Sequence, residues 1–370
     1  MIGSTIKNLL GWKTKRKIVV IESDDWGSIR MSSNEAIKKL TSYGANLSSS
    51  RYDLYDSLEC NEDLEELFNV LTSFKDANNK SPVFTGVNVV ANPDFDKIKE
   101  SNFKQYYYEP FTETLKKYPQ HDKVYDLWKK GINERLIVPQ FHGREHLNVN
   151  RWMRALQAGS SGELKAFDLG VTGLSNFTFP EFKSEYQGAF EVELTSDLIS
   201  QAEVLRTGTQ LFEQLFGYKA TAFTPTNGPF SSTLEPVLNE CGINLIQTAR
   251  VIYKEPLGNG KIKKRFRYMG KKNYLGQRYL TRNCVFEPNE NLGFDWFDFC
   301  MPRIEQAFKY HNPVIITTHR VNYTGFLNKE NREKSLTELA RLLKGIISKW
   351  PDAEFMTTAE LGDLMNKKTK

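Results

Sequence analysis

Continuous apolar runs recur along the chain, and each ends in polar residues. The first, at 18–21 (IVVI), is followed at once by ESDDWGS at 22–28. Runs that are β-branched and do not alternate suit strands covered on both faces, as in a parallel sheet. Comparable runs predict further strands at 81–90, 136–141, 243–246, 279–286 and 313–319, with a short one at 354–358. Between them, apolar positions recur every three or four residues over 34–40, 63–74, 111–117, 122–130, 198–216, 298–310 and 336–347, which predicts helices. A further helix is expected over RWMRALQA at 151–158, capped by Asn148 or Asn150, and Gly131 stands where a helix C-cap would. Asp295 and Trp296 read as a helix start with an exposed tryptophan. Strands thus alternate with helices through nearly the whole length, which predicts an α/β barrel built as one domain over 1–370. Residues 158–200 break the rhythm. They are rich in Gly, Ser and Phe with weak periodicity, and read as an inserted loop region over the mouth of the barrel.

In a parallel barrel all strand exits lie on one rim, and here the exits carry ionisable groups. Asp24 and Asp25 follow the first strand, His142 and His146 the third, and His319 ends the strand at 313–319. Two buried adjacent carboxylates resist joint ionisation unless a cation is near. Imidazoles four residues apart can reach one metal ion. Of five histidines in the chain, three stand at these exits, so the pattern predicts a metal site. The segment 142–146 (HGREH) also spells the H-x-x-E-H motif of a metalloprotease, with Glu145 as general base. That reading needs a helix, whereas Pro139, Gly143 and the preceding apolar run favour a strand. His121 and His311, beside prolines, read as surface loop residues.

Composition narrows the class. Hydrophobic residues at 39% and charged residues at 26% describe an ordinary globular chain. The net charge, 50 − 45 = +5, argues against a nucleic-acid binder. The basic charge concentrates at 261–272 (KIKKRFRYMGKK), with seven Lys or Arg in twelve positions. This stretch reads as a solvated loop or hairpin, or else as a cradle for a phosphate-bearing substrate or an anionic membrane surface. Four cysteines without a C-x-x-C pair read as reduced thiols. No stretch has the length of a signal peptide's apolar region or of a transmembrane span, so a cytoplasmic location is expected. Ile2, Ile6, Leu9 and Leu10 share one helical face before Lys13, Lys15, Arg16 and Lys17, which suits a capping helix or a peripheral membrane anchor.

The order of these motifs resembles the polysaccharide deacetylases (the NodB-homology group, carbohydrate esterase family four). Residues 23–27 (SDDWG) resemble that family's first motif, commonly T-F-D-D-G; 142–146 (HGREH) resemble its second, H-[ST]-x-x-H; 315–319 (IITTH) resemble its last, a hydrophobic strand ending in L-x-H. The resemblance extends in order from about residue 17 to 365, although these short motifs alone carry it. It implies a distorted (β/α)7 barrel with inserted loops. It implies that Asp25, His142 and His146 bind a divalent metal, most often zinc, with Asp24 as general base and His319 as general acid. Backbone N–H groups near Thr226 and Asn227 would help hold an oxyanion. The activity implied is removal of an N-acyl or O-acetyl group from a sugar, with a lipid- or nucleotide-linked glycan precursor as the expected partner. Three departures stand out, of which one is Trp26 before Gly27, which makes the first motif a residue longer than usual. The family's third motif, R-x-P-[YF], aligns with 223–226 (FTPT), so Phe223 occupies the position of the arginine that orients the base; Arg282 is the candidate replacement. The fourth motif, D-x-x-D-W, has only a faint echo at Asp295-Trp296. A barrel that binds glycans without catalysis is the alternative these departures raise.

Overall fold

The computed structural model describes residues 10–248, 252–291 and 293–367. Ile2, Ile6 and Leu9 of the expected N-terminal helix lie outside these residues. The strands, in chain order, are β1 (Lys17–Trp26), β2 (Phe84–Val89), β3 (Ala91–Pro93), β4 (Tyr108–Pro110), β5 (Ile137–Gly143), β6 (Ala222–Phe223), β7 (Leu245–Thr248), β8 (Ile252–Gly258), β9 (Lys261–Phe266), β10 (Arg278–Thr281), β11 (Cys284–Val285), β12 (Val314–His319) and β13 (Ala353–Met356). Nine of them form one sheet in the order β10-β7-β6-β5-β2-β1-β12-β11, with β13 paired to β1. Every pairing in that sheet is parallel. Along one edge of β1, β13 pairs with residues 17–20 and β2 takes over from Ile21. The strands at the two ends of the path, β10 and β11, are joined by only Arg282 and Asn283. The sheet therefore curls back on itself as the distorted, incompletely closed barrel that the sequence predicts.

The alternation of side chains along β1 sorts the core into two layers. Val19 and Ile21 pack outward with helices Asn61–Thr72, Val124–Asn133, Trp296–Lys309 and Lys329–Lys349. Ile18 and Val20 point into the barrel with Leu245, Leu280 and Ile315, and Leu361 of helix Thr358–Asn366 plugs that interior from below. Two further cores flank these layers. Phe141, Phe190, Phe223 and Phe230 form one. The other joins Met31, Leu40 and Leu47 to Trp152, Phe167 and Phe182, so part of the 158–200 region has a packed core of its own.

Several local expectations are corrected. Gly131 does not cap a helix, because helix Val124–Asn133 runs through it and the left-handed residue is Arg135, at φ 54°. A Cβ at 131 would stand 2.6 Å from Phe68 and 2.7 Å from Ile137, so this glycine serves close packing. His121 is buried rather than on the surface, with its ring nitrogens 2.6 Å from the Pro119 carbonyl and 3.1 Å from that of Leu58; His311 is exposed as expected. Asp295 does cap a helix, accepting from the Asp298 N–H at 2.8 Å, but Trp296 is buried against Phe294 and Phe299. The predicted strand at 279–286 is two strands, interrupted at the barrel's gap. The region 158–200 holds a helix, Ser161–Phe167, before its irregular part. The basic stretch begins as β9, which forms an antiparallel hairpin with β8. No described helix is long and apolar enough to cross a membrane.

Candidate metal and proton-transfer site

Register brings the expected groups together. β1 and β12 pair so that Asp24 lies directly across from His319. In a regular strand Asp24 and Asp25 would point to opposite faces. Asp25 instead takes a left-handed conformation, φ 77°, and the β1–β2 register shifts between Ser23 and Trp26. This bulge turns both carboxylates toward the mouth of the barrel. Trp26 anchors it from the core: its Nε1–H donates to Ser23 Oγ at 2.9 Å, and its ring packs edge-on against Trp128. Gly27 follows at φ 78°, where a Cβ would stand 2.5 Å from the Val89 carbonyl oxygen.

Asp25, His142 and His146 are all buried, and they offer donor atoms within 4.8 Å of one another. Nε2 of His142 and of His146 lie 3.2 and 3.0 Å from Asp25 Oδ1. His142 Nδ1–H donates to the Thr224 carbonyl at 2.7 Å, which leaves the Nε2 lone pair facing the carboxylate. A lone pair aimed at an ionised oxygen is repulsive unless a cation or proton lies between them. Zinc at ~2.0–2.2 Å from each donor of a tetrahedral site sets neighbouring donors about 3.3 Å apart, so these three residues fit a divalent metal. They fit it with two neutral nitrogens and one carboxylate, a set that leaves coordination positions open.

A buried ion network flanks this triangle. Arg282, from the short link between β10 and β11, grips Asp24 with Nη1 at 2.6 Å and Nη2 at 2.5 Å. Its Nε–H donates to Glu22 at 2.6 Å and its Nη1 to Thr317 Oγ1 at 2.9 Å. Glu22 in turn accepts from Gln247 Nε2 at 2.5 Å and from Thr358 Oγ1 at 2.7 Å. Burial pushes the Asp24 carboxyl up, but Arg282 outweighs it and holds the group below the ordinary aspartate range. Next to Asp24 on the neighbouring strand, His319 has Nδ1 2.6 Å from Glu287 and Nε2 3.9 Å from Asp24. Burial lowers the His319 pKa, yet Glu287, with Asp25 and Asp24 behind it, raises it to about 9. Glu287 is held by Asn322 at 2.8 Å and Arg51 at 2.9 Å, and the Tyr52 ring stands edge-on to the His319 imidazole. Below the site, Arg320 ties the loop after β1, donating to Asp56 at 2.7 Å and to the Ser28 carbonyl at 2.6 Å.

These groups open into a cavity of about 680 Å³ lined by Asp24, Asp25, His142, Arg282 and His319, with Asn227 on its wall. Thr226 is buried behind the wall, and its hydroxyl accepts from the Ala189 N–H at 2.8 Å. Among the cavity's lining residues the basic stretch 261–272 is absent. Phe223, where the family places an arginine, packs against Phe141, Phe190 and Phe230. Glu145 is buried beside Arg144 at 2.6 Å, and the His pair lies on a strand and the turn after it, not on a helix. That excludes the protease geometry. Sequence reasoning missed Glu22, Glu287, Arg51 and Arg320. Glu287 had a usable signal, since it follows the exit of the short strand β11.

No protein-family model matches the chain, and none of the curated proteins matches it. Solved structures similar to it include a Mycobacterium smegmatis protein described as a polysaccharide deacetylase, at 10% identity over 96% of this chain and 92% of that one, TM-score 0.44. A Pseudomonas aeruginosa PAO1 protein described in the same way is 8% identical over 96% and 93%, TM-score 0.46. Puue allantoinase is 11% identical over 97% and 93%, TM-score 0.47. Likenesses this distant carry none of the functional argument, which rests on the site itself.

Proposed function

We propose that the chain is a metal-dependent hydrolase that removes an acetyl or other acyl group from the nitrogen or oxygen of a sugar. One observation carries this reading. A metal-fitting triad lies beside a carboxylate held ionised by Arg282 and an imidazole held protonated by Glu287. Groups whose environments push their pKa values apart mark a base and an acid. Asp25, His142 and His146 would hold the metal, and zinc suits this donor set. When bound, such a metal acidifies water and polarises a carbonyl. Asp24, charged and oriented, accepts the proton of the attacking water. His319 carries its proton on Nε2, which faces the cavity while Nδ1 is bound to Glu287, and donates it to the departing amine or alcohol. Backbone N–H groups near Asn227, which lines the cavity, would help hold an acyl oxygen.

The missing family arginine was the ground for a non-catalytic barrel, and Arg282 supplies the cation from elsewhere. The activity test is acetate release from N-acetylglucosamine oligomers by enzyme supplied with zinc. Activity should vanish on chelation, return with metal, and fall at least 100-fold in His142→Ala. The melting temperature gives a second readout: zinc should raise it in the native chain and not in His142→Ala. A chain that gains stability from zinc yet releases no acyl group from any acylated sugar would sink the enzymatic reading and leave the metal site standing.

A further inference from the structure

The rim of the cavity is not an open groove. The loop after β1 and the inserted region after β5 meet above β2 and are stitched together there. Asn46 N–H donates to the Thr178 carbonyl at 2.6 Å, Ser32 Oγ to the Leu169 carbonyl at 2.6 Å, and Arg30 Nη2 to the Gly173 carbonyl at 3.1 Å. Beneath these bonds lies the satellite core that joins Met31, Leu40 and Leu47 to Trp152, Phe167 and Phe182. A segment with its own packed core is a fixed wall rather than a loose flap. Arg30, Gly173, Leu174 and Thr178 from both sides of the seam line the cavity. Phe177 projects from the wall at the lip, 74% exposed, and presents a free ring face. The volume, about 680 Å³, is that of a small-molecule pocket.

We infer that the cavity is blind on the β1–β5 side and takes the end of a glycan, or a glycan of two or three units, with Phe177 stacking on the unit beside the reacting one. A polymer lying through the site needs two exits, and the stitched wall closes one of them. The inference rests on the glycan part of the reading above, but it concerns length and direction, not chemistry.

Equilibrium binding separates the two claims. N-acetylglucosamine oligomers of one to six units serve as probes, with the zinc-supplied full chain, and acetate release is followed in parallel. Affinity should rise over the first two or three units and then stay flat, and acetate should come from one end only. Phe177→Ala, an exposed substitution that leaves the fold alone, should weaken the longer oligomers about tenfold and leave the monomer unchanged. Affinity that climbs with every unit to six, or acetate released from internal units, overturns the blind pocket while the deacetylase reading stands. A plateau at short length with no acetate released supports the pocket and removes N-deacetylation of these oligomers from the reading above. Failure of every oligomer to bind overturns both.

Discussion

At the scale of single residues, the site is a study in which partner each ionisable group faces. Asp24 faces Arg282, Asp25 faces two imidazoles, and His319 faces Glu287. The raised pKa of His319, about 9, has a direct kinetic consequence. The imidazolium is the acid, so activity is present below that pKa and is lost as pH rises through it. Glu287→Gln removes the main favourable charge and should move this alkaline limb to lower pH. A bound metal cation displaces both limbs downward, so the difference between the two pH–rate profiles is the quantity to measure; coincident limbs would remove Glu287 from its role. Arg282→Met leaves Asp24 buried without its cation. Its kcat should fall roughly 100-fold, within the range of general-base contributions, and the acid limb should move up as the Asp24 pKa rises. Single-turnover kinetics on an acylated sugar, with metal content checked, would test this; an unchanged kcat would show that Asp24 needs no orienting cation.

At the scale of elements, packing overrides propensity in a measurable way. Gly131 sits inside helix Val124–Asn133, where alanine is intrinsically better by ~1 kcal/mol. A Cβ there meets Phe68 and Ile137 below 3 Å. Overpacking of that kind costs about 1–3 kcal/mol, so Gly131→Ala should destabilise despite its helix preference. The midpoint of urea unfolding measures the sign, and a more stable variant would show that the helix simply shifts. The same competition explains what was legible in the sequence. Strand type, the helix sequence and the five residues Asp24, Asp25, His142, His146 and His319 follow from local pattern, because buried runs and their polar exits are local facts. The partners do not. Glu287 reaches His319 through the pairing of β11 with β12, and Glu22 reaches Arg282 across the barrel interior. Neither spacing nor composition encodes such contacts; they exist only once the sheet has curled. The burial of Trp296 and His121 escapes the sequence for a related reason, since the core around Trp296 includes Leu336 and Leu339 and the ring beside His121 is that of Phe326, all distant in sequence.

At the scale of the molecule, stability is uneven by construction. β1 is covered on both faces and paired along both edges, with β12 on one side and β13 then β2 on the other. The β8–β9 hairpin is a two-stranded ribbon outside the sheet, with β9 largely exposed. Two strands alone are marginal in water. Native-state hydrogen exchange should therefore find β1 and β12 amides opening only with global unfolding and β9 amides exchanging orders of magnitude faster. Equal protection of β9 would mean that the hairpin is covered in solution.

The gap between β10 and β11 gives residue 282 a freedom that a strand position lacks. Arg282 belongs to neither ladder, and it holds beside Asp24 the charge that the motif resemblance would place at Phe223. Phe223 is an aromatic contact, packed against Phe141, Phe190 and Phe230. Restoring an arginine at 223 while keeping Arg282 would bury a second cation among Phe141, Phe190 and Phe230. Moving the charge back would require changing both positions at once.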